Sequence, residues 1–198
     1  MVLSEAGIRA LFPEIDEISD AELRRNVADI WIEVAAEAAW DRLEDVPKNL
    51  DAERDRRLTD HIRGVTRMAL ALAEIGEREQ GTPYNRDYLI ACCLLHDVSK
   101  IVETEPDLEG RPTDGPALPA RKSALGAKIQ HAAYATHKVF EKGLPLEIAH
   151  VVLTHTHASN MRSTSVEGAY LFYADYADSD AAIHKVGGRT FAERWHLG

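Results

Sequence analysis

Apolar residues recur at helical spacing along most of the chain, whereas the alternation expected of half-buried strands is nearly absent. This spacing is typical of amphipathic helices that each bury one stripe. The helices should end near proline or glycine, such as Pro47, Gly81 and Pro145. The pattern therefore predicts an all-α fold with helices at about Ser19–Asp45, Leu58–Glu79, Asn85–Leu95, Ser123–Lys142, Leu146–His155 and Val166–Ile183.

The segment Glu103–Arg121 interrupts this pattern, because it contains four prolines and two glycines. A loop of this length in a compact domain is often a lid or a binding loop, although a plain surface excursion is an equal alternative. A chain of 198 residues fits one globular unit. We expect that unit at 51–198, preceded by an N-terminal helical extension at 1–50.

Composition limits the classes of partner. The net charge of −10 argues against nucleic acid as the main partner, because binding that polyanion requires clustered Lys and Arg. No apolar run approaches the roughly 20 residues of a membrane helix, and the N-terminus lacks the features of a signal peptide. We therefore expect a cytoplasmic protein with no membrane partner, and core packing for the adjacent Cys92 and Cys93.

Metal-capable side chains lie on the apolar sides of five predicted helices. His61, for example, is in line with Val65, Met68 and Leu72. A single histidine in such a place is more often a hydrogen-bonded core residue than a ligand, but coincidence in five helices favours a metal centre. Imidazole mixed with carboxylate suits Fe, Mn, Zn or Ni better than Mg or Ca. The candidate ligands are His61, His96, Asp97, His131, His155 and Asp175.

The order of these residues is similar to the H…HD…H…H…D signature of the HD-domain superfamily of metal-dependent phosphohydrolases. The stretch from His96 to Lys100 resembles the HDxxK form of that signature, and Ala174-Asp175 resembles its terminal Ala-Asp. The resemblance covers about Leu58 to Ile183. Two ligand positions stay open, because His157 is an alternative to His155 and Asp178 is an alternative to Asp175.

The resemblance implies an HD-type helical bundle with two divalent ions, foremost Fe or Mn, with Zn, Ni or Co as further options. His61, His96 and Asp175 would hold one ion, His131 and His155 the other, and Asp97 would bridge them. Such a pair activates a water molecule for hydrolysis of a small anionic phosphoester. Asp97 and Lys100 are the catalytic candidates, Lys100 as the stabiliser of an oxyanion. Weaker candidates for binding the anion are Arg63, Lys128, Lys138, Arg162, Arg111, Arg121 and Lys122.

Two other functions stay open at the level of sequence. The superfamily scaffold also supports mixed-valence di-iron oxygenases that cleave a C–C or C–P bond of a small polyol or hydroxyphosphonate. It also supports binding modules that hold metal or nucleotide without catalysis. We prefer hydrolysis because it is the commoner activity in the superfamily. A homodimer through the N-terminal helix is an option that the sequence does not decide.

Overall fold

The computed structural model describes residues 1–156 and 159–195, except for the side chain of Trp195. Helices dominate it, which confirms the predicted all-α class. They are α1 (Glu5–Leu11), α2 (Ala21–Glu37), α3 (Leu58–Gln80), α4 (Arg86–Leu95), α5 (Lys100–Glu103), α6 (Ala133–Glu141), α7 (Leu146–Thr154), α8 (Val166–Lys185) and α9 (Phe191–Trp195), with 3-10 turns at Pro13–Glu17 and Leu43–Asp45. Two short strands, β1 (Thr104–Pro106) and β2 (Ala120–Lys122), pair antiparallel with Thr104 opposite Lys122.

Helices α3, α4 and α8 pack against one another and form the centre of the bundle. Every residue of α4 from Leu89 to Leu95 is buried, which explains why this stretch has no polar face. Asn85 caps α4 by accepting the backbone N–H of Tyr88. Gly81 ends α3 at a φ of 70°, a conformation that glycine adopts without steric penalty.

The N-terminal segment belongs to the same apolar cluster as the remainder of the bundle. The indoles of Trp31 and Trp40 are buried, and their N–H groups donate to the carbonyls of Leu94 and Thr104. Both side chains therefore pack inside the bundle. Cys92 and Cys93 are also buried, as predicted, and burial raises the pKa of both thiols.

Two predicted helices are wrong in length. Helix α2 ends at Glu37 instead of near Asp45, because Ala38 adopts an extended conformation and Trp40 turns into the core. Helix α6 begins at Ala133 instead of Ser123. Residues 123–132 form successive turns, and Ala132 has a φ of 72°, which a continuous right-handed helix does not permit.

Two finer predictions also need correction. The apolar stripe proposed for α3 is wrong at Met68 and Leu72, which are 38% and 39% exposed, while Ala69 and Ala73 face the core. The predicted loop Glu103–Arg121 is irregular only between the paired strands β1 and β2. In the described part of the chain, no helix combines the length and the apolar composition that crossing a membrane requires.

Candidate metal centre

Three predicted ligands from α3, from the end of α4 and from α8 converge in the middle of the bundle. The Nε2 atom of His61 lies 3.4 Å from Nε2 of His96 and 3.3 Å from Oδ1 of Asp175. One ligand atom from each of these residues lies within 4.8 Å of the others. This first triad, His61–His96–Asp175, can therefore supply three donors to one cation.

A second triad lies beside the first and consists of Asp97, His131 and His155. The Oδ1 atom of Asp97 is 2.9 Å from Nε2 of His131 and 3.7 Å from Nε2 of His155. His131 precedes α6 instead of lying on its face, so the turns at 123–132 bring it to the site. His131 therefore reaches the site as predicted, although it lies in the turns before α6 and not on the helix itself.

Asp97 joins the two triads. Its Oδ1 atom faces the second triad, whereas its Oδ2 atom is 3.3 Å from Nε2 of His61 and 3.5 Å from Nε2 of His96. Asp97 is only 1% exposed, so neither oxygen is available to bulk water. A carboxylate whose two oxygens face two separate donor clusters has the arrangement of a bridging ligand.

Each of the four histidines has its Nδ1 atom next to an oxygen. His96 and His155 directly follow α4 and α7, where the last helical carbonyls have no partner within the helix. These oxygens can accept a hydrogen bond from Nδ1, which orients each ring and directs its Nε2 atom to the centre, where a metal would take it as a ligand. The four pairs are His61 with Asp178 at 2.6 Å, His96 with the Cys93 carbonyl at 2.6 Å, His131 with Glu103 at 3.0 Å, and His155 with the Val152 carbonyl at 2.7 Å.

This pattern tests whether the residues fit a metal. The Nε2 atoms of His61 and His96 face each other at 3.4 Å, and the carboxylates of Asp97 and Asp175 lie beside them. Nitrogen and carboxylate donors that converge in a buried space need protons or a metal cation between them. The donor set therefore fits bound metal.

Two lysines compensate the buried carboxylates. The Nζ atoms of Lys48 and Lys100 lie 3.3 Å and 3.1 Å from Oδ2 of Asp97. Burial alone would raise the pKa of Asp97, but Lys100 and Lys48 hold it well below its usual range. The pKa of Asp175 is likewise lowered despite burial, chiefly because of Lys48. Both carboxylates therefore stay ionised, which metal coordination requires.

Sequence reasoning missed Lys48 and Glu103. Neither belongs to a motif, and Lys48 precedes the region that resembles the superfamily. The spacing of Glu103 could have indicated its position. Glu103 follows Lys100 by three residues on the short helix α5, so both side chains lie on the same side of that helix. Burial raises the pKa of Glu103, but its hydrogen bond with His131 outweighs that effect and lowers the pKa.

Two ligand positions were left open by the sequence, one carboxylate and one histidine. Asp178 lies outside both triads and instead contacts Nδ1 of His61 and the guanidinium of Arg56, at 2.6 Å and 2.7 Å. Asp175 is the carboxylate of α8 that lies in the first triad. His157 lies outside the described residues.

The weaker cationic candidates divide into two groups. Several are engaged away from the triads, because Arg63 pairs with Glu14, Lys138 with Glu37 and Glu141, Arg121 with Glu105, and Arg162 with the Ser159 carbonyl. Lys122 and Lys128 instead line the space beside the triads. Arg111 lines a separate, smaller depression between the 107–120 loop and residues 47–54.

Two adjoining cavities of about 640 Å³ and 620 Å³ lie beside the triads. The larger is lined by residues of both triads, and the smaller reaches the second triad at His131. They share a wall that includes Lys48, Lys100 and His131. The larger one also reaches Tyr176 on α8 and Phe191 on α9, so it offers an aromatic surface as well as cations. Together these cavities have room for a small organic molecule with an anionic group.

Comparison with known proteins gives two matches. The family model for the HD domain matches residues 58–180. The chain is also 32% identical over 138 residues to the dihydroneopterin 2',3'-cyclic phosphate phosphodiesterase of Methanocaldococcus jannaschii, an alignment that covers 67% of the chain and 51% of that relative. The chain thus spans about half of the relative's length. No solved structure gives a significant match.

Proposed function

Because the chain belongs to the HD-domain family, we propose that it is a metal-dependent phosphohydrolase that hydrolyses a phosphoester of a small molecule or nucleotide. The observation that carries this proposal is the position of Asp97, whose two oxygens face the two triads. Intact donor sets on both sides of this carboxylate favour catalysis over a module that holds metal or nucleotide without catalysis.

We further propose that the centre holds two divalent ions. His61, His96 and Asp175 would hold one, His131 and His155 the other, and Asp97 both. The mixed nitrogen and oxygen donors favour Fe or Mn, with Zn, Ni or Co as options. Two such ions lower the pKa of a bound water and thereby supply a nucleophile at neutral pH.

The protein's own residues account for orientation and charge. The oxygens beside each Nδ1 atom fix the imidazole rings, so the donor atoms need no rearrangement when substrate enters. Lys100, with Nζ 3.1 Å from Asp97, lies where an ammonium group can stabilise negative charge that develops on the phosphoryl oxygens. Because Asp97 is buried, water screens its charge only weakly, and this charge holds Lys100 in that place.

A cyclic phosphodiester is the first substrate class to test. The relative from Methanocaldococcus jannaschii is named for hydrolysis of a 2',3'-cyclic phosphate. The aromatic surface at Tyr176 and Phe191 is compatible with the ring system that a nucleoside or pterin carries. The named activity of the relative also favours hydrolysis over the oxygenase alternative.

The test is a substrate screen on protein reconstituted with Mn²⁺ or Fe²⁺ under anaerobic conditions. We expect a 2',3'-cyclic nucleotide or another phosphoester to be hydrolysed, as measured by chromatography of the product. Asp97→Asn should lose at least about 1,000-fold in kcat/KM, since the shared ligand is lost. Asp60→Asn, an equal charge change at an exposed position of α3, is the matched control. Oxygen uptake by the iron form, without phosphoester hydrolysis, would overturn the proposal.

A further inference from the structure

Lys48 is a buried cation that the proposed ligand set does not use. Lys48 is only 6% exposed, and it lies before the region 58–180 that the family model matches. The Nζ atom is 3.3 Å from Oδ2 of Asp97 and 3.9 Å from Oδ1 of Asp175. The side chain lines both cavities that lie beside the triads. A lysine in this place is accessible to any ligand of the centre.

The backbone around Lys48 is held in a closed loop at residues 46–58. The N–H of Lys48 donates to the carbonyl of Arg56 at 2.8 Å, and the N–H of Leu58 donates to the carbonyl of Val46 at 2.9 Å. Within the loop, the side-chain oxygen of Asn49 accepts the backbone N–H groups of residues 51 and 53. The ammonium group is therefore presented by a fixed backbone and not by a flexible terminus.

The charges around Lys48 indicate what it binds. Lys48 and Lys100 both approach the same oxygen of Asp97, so two ammonium groups share one carboxylate in a buried space. Like charges so placed repel each other strongly when water is excluded. Once metal ions take up the charge of Asp97 and Asp175, the carboxylates left near the two ammonium groups are Glu53 and Glu103, which already pair with Arg56 and His131. The two ammonium groups would therefore gain from a further counterion. An anion in the adjoining cavity would supply it.

We infer that Lys48 and Lys100 together form a binding site for a tetrahedral phosphate oxyanion, to which the 46–58 loop contributes Lys48. The ligand is the phosphoryl group of the substrate or free inorganic phosphate. The identity of the substrate rests on the proposed function, but the binding of phosphate can be measured without it. The competing explanation is that Lys48 is only a counterion for Asp97 and Asp175.

Calorimetric titration of inorganic phosphate into the Mn²⁺-loaded protein separates these explanations. We expect Lys48→Met to bind phosphate at least tenfold more weakly than the wild type while the measured metal content stays the same. The matched control is Lys185→Met, which removes the same charge at an exposed position near the end of α8. This control should bind phosphate as the wild type does.

Unchanged phosphate affinity in a metal-loaded Lys48→Met protein would overturn the inference, because a counterion is dispensable once metal is bound. If that variant does not fold, Lys48→Gln takes its place, since its amide can still donate to Asp97 without carrying charge. The same tenfold loss is expected, and affinity equal to the wild type overturns the inference again.

The source of the phosphate follows from kinetics on the same variants. A KM for substrate that rises together with the dissociation constant for phosphate assigns the site to the substrate's phosphoryl group. A rise in the phosphate constant alone assigns it to the free ion. If the wild type binds phosphate but hydrolyses no phosphoester, the proposed function fails while this inference stands.

Discussion

Replacement of Asp178 by asparagine tests how the first triad is held in place. The carboxylate of Asp178 accepts a hydrogen bond from Nδ1 of His61 at 2.6 Å and two from Arg56 at 2.7 and 2.9 Å. Asparagine has nearly the same size but removes the charge. The imidazole of His61 then becomes a less basic and less firmly oriented donor.

Loss of such a partner typically weakens metal binding 10- to 100-fold, which corresponds to about 1.4–2.7 kcal/mol. We expect this reduction for one of the two proposed ions, because Asp178 contacts only the first triad through His61. Asp178→Asn should therefore still bind two equivalents of metal at saturation. Asp175→Asn, in contrast, removes a ligand and should lower the stoichiometry.

The assay is an anaerobic competition titration against a chromophoric chelator, with Asp60→Asn as a control for the charge change. Asp60 is exposed and adjacent to His61 in sequence, so this control should bind metal as the wild type does. The reasoning would be refuted if Asp178→Asn lost one equivalent while Asp175→Asn kept both. That result would exchange the roles of the two carboxylates.

Three further substitutions have expected outcomes. Gly64→Ala places a Cβ atom 2.5 Å from Oδ1 of Asp178, so it should push that carboxylate off its partners and weaken metal binding in the same titration. Trp31→Ala removes a fully buried indole and should lower the free energy of unfolding by about 3–5 kcal/mol, as measured by chemical denaturation. Burial raises the pKa of Asp87, but hydrogen bonds from the hydroxyl and N–H of Ser19 outweigh it, so the folded pKa lies below the unfolded one. The stabilisation by Asp87 is then present above the unfolded pKa of about 3.9 and is lost as pH falls through the folded value. Asp87→Asn should cost at most about 1 kcal/mol at neutral pH, because the carboxylate is largely open to solvent and asparagine keeps one acceptor oxygen. The difference from wild type should shrink in acid denaturation series.

The sequence predicted the helices that carry a strong apolar stripe and a clear end. Helix α4 is an example, since Asn85 caps it and its interior is apolar throughout. Prediction was weaker where tertiary contacts override helical propensity. Residues 123–132 are compatible with a helix by composition, but the N–H of Ser123 pairs with the carbonyl of Glu103 and Gly126 lies against the same carbonyl. The chain turns there to bring His131 to the centre.

The candidate site was more predictable than the helices that carry it. Spacing brought His61, His96 and Asp175 to attention because a polar residue on an apolar stripe is conspicuous in a sequence. Lys48 was not conspicuous, since it lies in a polar stretch of the sequence and is buried only through the fold of the 46–58 loop. The contacts of Lys48 with Asp97 and Asp175 depend on the three-dimensional fold, and no periodic pattern in the sequence predicts them.

Anomalous diffraction from crystals of the Mn²⁺-loaded protein tests the central claim most directly. Two anomalous peaks separated by about 3.5–4 Å are expected, with Asp97 between them and one triad around each peak. The first peak should contact His61, and the second should contact His131. A single peak, or two peaks that share no contact with Asp97, would contradict the account.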